Sequence, residues 1–251
     1  MSLPTLGVSK HITTLPISKR EVEFRPFLVK EEKILIIADS SGKESDMEMA
    51  VSRIVENCTF SKVQAGGLCQ ADLEWLLLQI RIHSKGGTAE LVFQCINPVD
   101  TLDKNGNPTG EKHECSFKNE INADLNTVEI TNGNKSDVIE LTDSIGIKMK
   151  APTISVLRAV DKLNESEVEA AFTRVLACIE SIYDGEEVWL AKDLKREEIN
   201  TFLESFTDKQ FDNVKEWVEN LPVMKLKVDY VCANCGAKDT IVIEGIDNFF
   251  G

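Results

Sequence analysis

Four of the seven cysteines stand where strands could bring them to one point. Cys232 and Cys235 belong to the run Cys-Ala-Asn-Cys-Gly, with Leu226, Val228 and Tyr230 alternating before it and the β-forming residues Thr240 to Ile243 after it. A strand that enters a Cys-x-x-Cys-Gly turn and leaves as a second strand is the arrangement of a zinc knuckle. The turn aims two thiolates and backbone N–H groups at one point, and the glycine permits it. Structural zinc takes four ligands, so this pair is half of a site. Cys95 and Cys115 are the candidates for the other half, because each lies in the other β-rich region and residues 96–114 can fold back as a hairpin. His113 is a further candidate ligand. Leu91-Val-Phe-Gln-Cys95 and Lys227-Val-Asp-Tyr-Val-Cys232 both run a strand into a cysteine. A split zinc ribbon holding one structural zinc ion is therefore one reading. Four reduced core or turn cysteines, or a redox-active Cys-x-x-Cys, are the others. The redox reading fits less well, because thioredoxin-type motifs open a helix whose dipole lowers the thiol pKa, whereas this one joins two strands.

Other chemistry has few carriers. Cys58, Cys69 and Cys178 sit in or at the start of helical patterns and read as small buried hydrophobes. His11, His83 and His113 fall in an arm, at a helix end and in a loop, and all read as surface histidines. There is no phosphate-binding loop, dinucleotide fingerprint, His-Glu-x-x-His or Gly-x-Ser-x-Gly run, and no two carboxylates stand out as a catalytic pair. A protein that binds rather than catalyses is expected.

The elements that must position the cysteines give an α+β chain of 251 residues. Residues 1–23 mix Pro4, Gly7 and Pro16 with polar residues without either period, which predicts an extended arm. A helical unit follows over 24–86. In it Met47, Val51, Ile54, Val55 and Cys58 share one helix face behind a Ser45/Glu48 capping box, and Leu73, Leu76, Leu77 and Ile80 share another. Residues 87–150 are β-rich, with a turn at Asn132-Gly133-Asn134. Residues 151–222 predict three acidic helices over about 164–221: one capped by Asn164 and Glu167 and lined by Phe172, Val175, Ile179 and Ile182, one through Ile199 and Leu203, and one capped by Thr207 and Gln210. The Cys-x-x-Cys hairpin, 223–251, is expected to return to the β-rich unit.

A net charge of −14 argues against nucleic acid and against anionic membrane surfaces as partners, since phosphate neutralisation needs clustered Lys and Arg. Residues 161–220 carry 16 acidic against 7 basic residues and hold most of the imbalance, read as solvated helix faces or as a docking surface for a basic partner. No apolar run is long enough for a bilayer span, and residues 1–30 lack the pattern of a signal peptide, so a cytosolic protein is expected.

Phe24-Arg-Pro-Phe-Leu-Val-Lys-Glu-Glu-Lys-Ile-Leu35, behind a short proline-containing arm, resembles the baseplate hub assembly proteins of T-even-type bacteriophages. Gln79-Ile-Arg-Ile-His-Ser84 with its following glycines, and the Cys-x-x-Cys-Gly strand pair ending in Phe249-Phe250, extend the resemblance from about residue 24 to the end. It implies a virus-encoded protein made in the cytoplasm of the infected bacterium, with a chaperone-like role in building the hub of the tail baseplate. Its partners would be hub or spike proteins. A structural subunit of the virion baseplate hub is the close alternative, and a zinc-ribbon transcription accessory protein a remote one. The family transfers no catalytic residues. Phe24, Phe27 and Leu28, with apolar area to bury, and Arg25, a residue type enriched at interface hot spots, are the candidate protein-binding residues, unless the phenylalanines staple the first helix to the core.

Overall fold

The computed structural model describes residues 6–131, 133–134, 136–161 and 167–245; the expected docking tail at Phe249-Phe250, and Asn132 and Asn164 of the expected turn and cap, lie outside the described residues. Polar residues alternate with Leu15, Val22 and Phe24 near the start. This alternation makes an antiparallel hairpin of β1 (His11–Thr14) and β2 (Glu21–Phe24), with His11 opposite Phe24. All three apolar side chains are buried. The hairpin corrects the extended arm expected over 1–23. Its turn is tied down by Asp72, which accepts from the backbone N–H groups of Ile17 and Ser18 at 2.8 and 3.0 Å. That anchor lies more than fifty residues away in sequence, so no local period betrays the hairpin.

Helices α1 (Val29–Ser41), α2 (Glu44–Cys58) and α3 (Gln70–Lys85) complete the N-terminal unit. Ile54, Val55 and Cys58 of α2 and Leu73, Leu76, Leu77 and Ile80 of α3 close one core with Leu15, Val22, Phe24 and Phe27. The helix α2 begins one residue before Ser45, so the expected Ser45 cap is not formed. Arg25 and Glu31 are buried together at 3.0 Å. The same carboxylate accepts from the Leu28 N–H at 2.8 Å, and the Phe27 N–H donates to Ser84 Oγ at 2.9 Å. Phe24 to Leu28 thus knits β2, α1 and α3 from the inside.

The β-rich unit pairs β3 (Thr88–Gln94) with β6 (Lys118–Asp124), antiparallel, Gln94 opposite Lys118. Between them β4 (Pro98–Leu102) and β5 (Pro108–Glu114) form the expected hairpin, turning where Asp103 accepts from the N–H groups of Asn105 and Asn107. Far along the chain, β12 (Met224–Val231) and β13 (Lys238–Glu244) form the C-terminal hairpin, and β12 also pairs with the short β7 (Glu129–Ile130). Met224, Leu226, Val228 and Ile243 pack on Ala89, Leu91, Ala123, Leu125 and Leu78, so the hairpin does return to the β-rich unit. The helix α3 gives Leu78 to this second core and its other face to the first.

The third unit differs most from expectation. A sheet in the order β11-β10-β9-β8 is built from β8 (Val138–Glu140), β9 (Ile145–Met149), β10 (Ile179–Asp184) and β11 (Glu187–Leu190). It packs against α5 (Glu167–Cys178), α6 (Arg196–Glu204) and α7 (Asp208–Glu219), with α4 (Ile154–Asp161) leading in. Residues 138–149 therefore belong with this unit, not with the β-rich unit expected over 87–150. Ile179 and Ile182 fit a helix face in sequence but sit in β10, because α5 stops at Cys178 and Gly185, at φ 57°, turns the chain back into β11. The expected Thr207/Gln210 capping box is present, the Thr207 N–H donating to Gln210 Oε1 at 2.9 Å. No described helix is long and apolar enough to cross a membrane.

The buried Arg25–Glu31 pair generates a stability test. Removing one partner strands the other charge in the interior, so Arg25→Ala should cost about 3–5 kcal/mol in urea unfolding at neutral pH. Burial by itself raises the Glu31 carboxyl, but the Arg25 guanidinium and the Leu28 N–H together hold it below the ordinary carboxylate range. A lowered folded-state pKa contributes stability above the unfolded value and loses it as pH falls through the folded one. The gap between wild type and Arg25→Ala should accordingly narrow in acid; a gap under about 1 kcal/mol at neutral pH, the size of an exposed pair, would contradict the reading.

Candidate metal centre

Two turns of the same design meet at the ends of the β-rich unit. In the C-terminal one, β12 runs into Cys232; the Cys232 N–H donates to Ala237 O at 2.8 Å, and the Gly236 N–H returns to Cys232 O at 2.9 Å. In the central one β3 runs into Cys95, the Cys95 N–H donates to Phe117 O at 2.8 Å, and the Ser116 N–H returns to Cys95 O at 2.8 Å. Gly236 and Ser116 occupy the same place, with φ of 72° and 55°. Glycine adopts that left-handed backbone freely, whereas for serine it costs about 1–2 kcal/mol. Cys95-Ile-Asn and Cys232-Ala-Asn therefore open two equivalent knuckles. The β4–β5 hairpin is inserted in the first, after Asn97 and before Cys115, which is why its two cysteines are so far apart in sequence.

The knuckles face one another. Cys95 Sγ lies 3.7 Å from Cys235 Sγ, and Cys115 Sγ 3.8 Å from Cys232 Sγ, with all four sulfurs within 4.8 Å of one another. Ligands about 2.3 Å from a tetrahedral zinc are separated by about 3.8 Å, so these two separations already have the edge length of a zinc–thiolate tetrahedron. Cys95 and Cys232 are buried, and Cys115 and Cys235 are partly so. His113 points elsewhere, its Nδ1 being 3.0 Å from Thr101 Oγ1 on the exposed β4–β5 hairpin.

Three asparagines aim amide N–H groups at the sulfurs. Asn97 donates to Cys235 at 3.8 Å and Asn234 to Cys115 at 3.3 Å, each from one knuckle to the other. Asn119 donates to Cys232 at 3.6 Å and uses its Oδ1 to accept from the Ala233 N–H at 3.0 Å. The sequence reading missed all three, although the repeated Cys-x-Asn at 95–97 and 232–234 was the available signal. The backbone N–H of Cys235, supported by those of Asn234 and by the Asn119 amide, lowers the Cys232 thiol to about 6. Cys95 is drawn down by the Asn97 N–H, yet burial and hydrogen bonds with the other three sulfurs push it up to about 11. Cys232 thus parts with its proton easily, while Cys95 holds its own.

The remaining cysteines are of another kind. Burial pushes Cys58 and Cys69 up to about 11 and Cys178 to about 12, which keeps them as neutral thiols in packed positions.

Of the expected protein-binding residues, Phe24, Arg25 and Phe27 are buried, and Leu28 alone is exposed, at 39%. Phe24 and Phe27 are committed to the N-terminal core and Arg25 to the Glu31 pair, so as a contact surface these three are corrected, while Leu28 stays open to solvent. Beside them, however, α1 leaves Val29, Ile36 and Ile37 exposed, at 65, 59 and 71%. The run Ile34-Leu-Ile-Ile37 passes around the helix: Ile34 and Leu35 are half-buried and the following Ala38 is buried, while Ile36 and Ile37 face solvent.

Comparison with known proteins gives a match to the family described as T4 bacteriophage base plate protein over residues 8–251. One curated relative, "Baseplate hub assembly protein gp26" of Enterobacteria phage T4, is 24% identical over 234 residues, covering 93% of this chain and 94% of the relative. No solved structure matches.

The two classes of cysteine should separate chemically. With a chelator present at neutral pH, an alkylating agent should modify Cys232 of the knuckles well before Cys58 and Cys178, as read by peptide mass spectrometry. Equal labelling of the two groups in folded protein would contradict the assignment.

Proposed function

The chain belongs to the T4 bacteriophage base plate protein family, and on that premise we propose that it works in baseplate hub assembly, binding hub or spike subunits as a chaperone before they are incorporated. The observation that carries this is the end-to-end match to a hub assembly protein, which leaves out no unit of the fold. Its action is association, without catalysis, in the cytoplasm of the infected bacterium. Support for association comes from α1, where Leu28, Val29, Ile36 and Ile37 present apolar area at helical spacing to solvent. Burying such area on a partner yields about 25 cal/mol per Å², and holding it until the right subunit arrives suppresses non-productive association.

The test separates binding from folding. Ile36→Asp with Ile37→Asp changes exposed positions, so the melting temperature should move little. Capture of co-expressed hub proteins should fall at least tenfold. Undiminished capture would remove α1 as the contact. A stoichiometric band of this chain in purified tails would make it a virion subunit instead of a chaperone.

A further inference from the structure

We propose that Cys95, Cys115, Cys232 and Cys235 bind one zinc ion as four thiolates, and that this ion fixes the β4–β5 hairpin and the C-terminal hairpin to each other. The geometry carries the first half. Four sulfurs converge from two knuckles of the same hydrogen-bond pattern, all within 4.8 Å of one another, and separations of 3.7 and 3.8 Å join sulfurs of opposite knuckles. That is how a closed tetrahedron is made from two bidentate turns. Every position is filled by protein sulfur, which describes a structural site with no place for a reacting water.

The asparagines supply an independent argument. A neutral thiol is a weak acceptor, so a site of four thiols gains little from amides directed at it. Thiolates bound to a dication still carry negative charge on sulfur, and donors pointed at them are what such ligands need. Asn97 and Asn234 reach across to sulfurs of the opposite knuckle, and Asn119 buttresses Cys232 while its carbonyl holds the turn at Ala233. These contacts lock the two turns in the orientation that brings the sulfurs together.

The second half follows from where the insertion leaves the chain. The hairpin of β4 and β5 is largely exposed and, among the described residues, has no strand partner outside itself. Its two ends are Pro98, three residues after Cys95, and Glu114, next to Cys115. Its direction relative to the body is therefore set at the knuckle that the ion closes.

Metal analysis of the full chain purified without added zinc tests this. About one zinc per chain is expected, and cobalt added to apoprotein should give the visible bands of a tetrahedral thiolate complex. Cys232→Ser should lose the metal. Because that variant could also fail to fold, Asn234→Ala serves as the second probe: it keeps all four sulfurs and should weaken zinc about 10–100-fold in competition with a chromophoric chelator. Chelation should speed amide exchange at Cys95, Ser116, Cys232 and Gly236 while leaving α2 and α7 protected. Protein that is metal-free, that contains iron, or whose four cysteines titrate as two disulfides would overturn the zinc assignment. Exchange at the knuckles unaltered by chelation would overturn the positioning role.

Discussion

The fold depends on a return: the last described strands must find the centre of the chain across an entire intervening unit. Met224 and Leu226 are fully buried in a core whose other members, apart from Val228, Ile241 and Ile243 of the same hairpin, lie between residues 75 and 130. The backbone ladder contributes little to the return, since β12 meets β7 over only two residue pairs. Apolar packing on β3, β6 and α3 therefore provides most of the hold along the strands, and the proposed zinc site would add a second attachment at their far end. Loops this long, 117 and 140 residues between the paired sulfurs, are costly to close but only slowly more so with length. On the proposed zinc site, attachment at the knuckles would offset that cost where the ladder cannot.

The helix α3 is the second beneficiary of this arrangement. One face closes the N-terminal core and Leu78 enters the core beneath the C-terminal hairpin. The two units are thus coupled through one rigid element, and Asp72 on the same helix anchors the first hairpin. The exposed side of α1 is presented from this braced unit, with the Arg25–Glu31 pair fixing where the helix starts.

Legibility in the sequence followed the range of the interactions. Faces of α2 and α3, the Thr207/Gln210 cap and the β4–β5 hairpin are decided by residues within a turn or two of each other, and their spacing announced them. The convergence of the four cysteines was readable because the strands around each pair look alike. What stayed hidden depends on distant partners. Leu15 and Val22 look like arm residues until Asp72 and α3 are beside them. Ile179 and Ile182 satisfy a helical period and a strand alternation equally, and it is pairing with β9 that decides between them. Arg25 has the composition of a surface anchor, yet a buried Glu31 six residues on turns it inward.

Counting the sulfurs around the ion tests the central claim most directly. X-ray absorption at the zinc edge of the purified chain should give four sulfur scatterers at about 2.3 Å and no nitrogen or oxygen in the shell. Two or three sulfurs with a lighter scatterer at about 2.0–2.1 Å would mean that the two knuckles do not close on one ion, and would contradict the account of how the ends of the chain are joined.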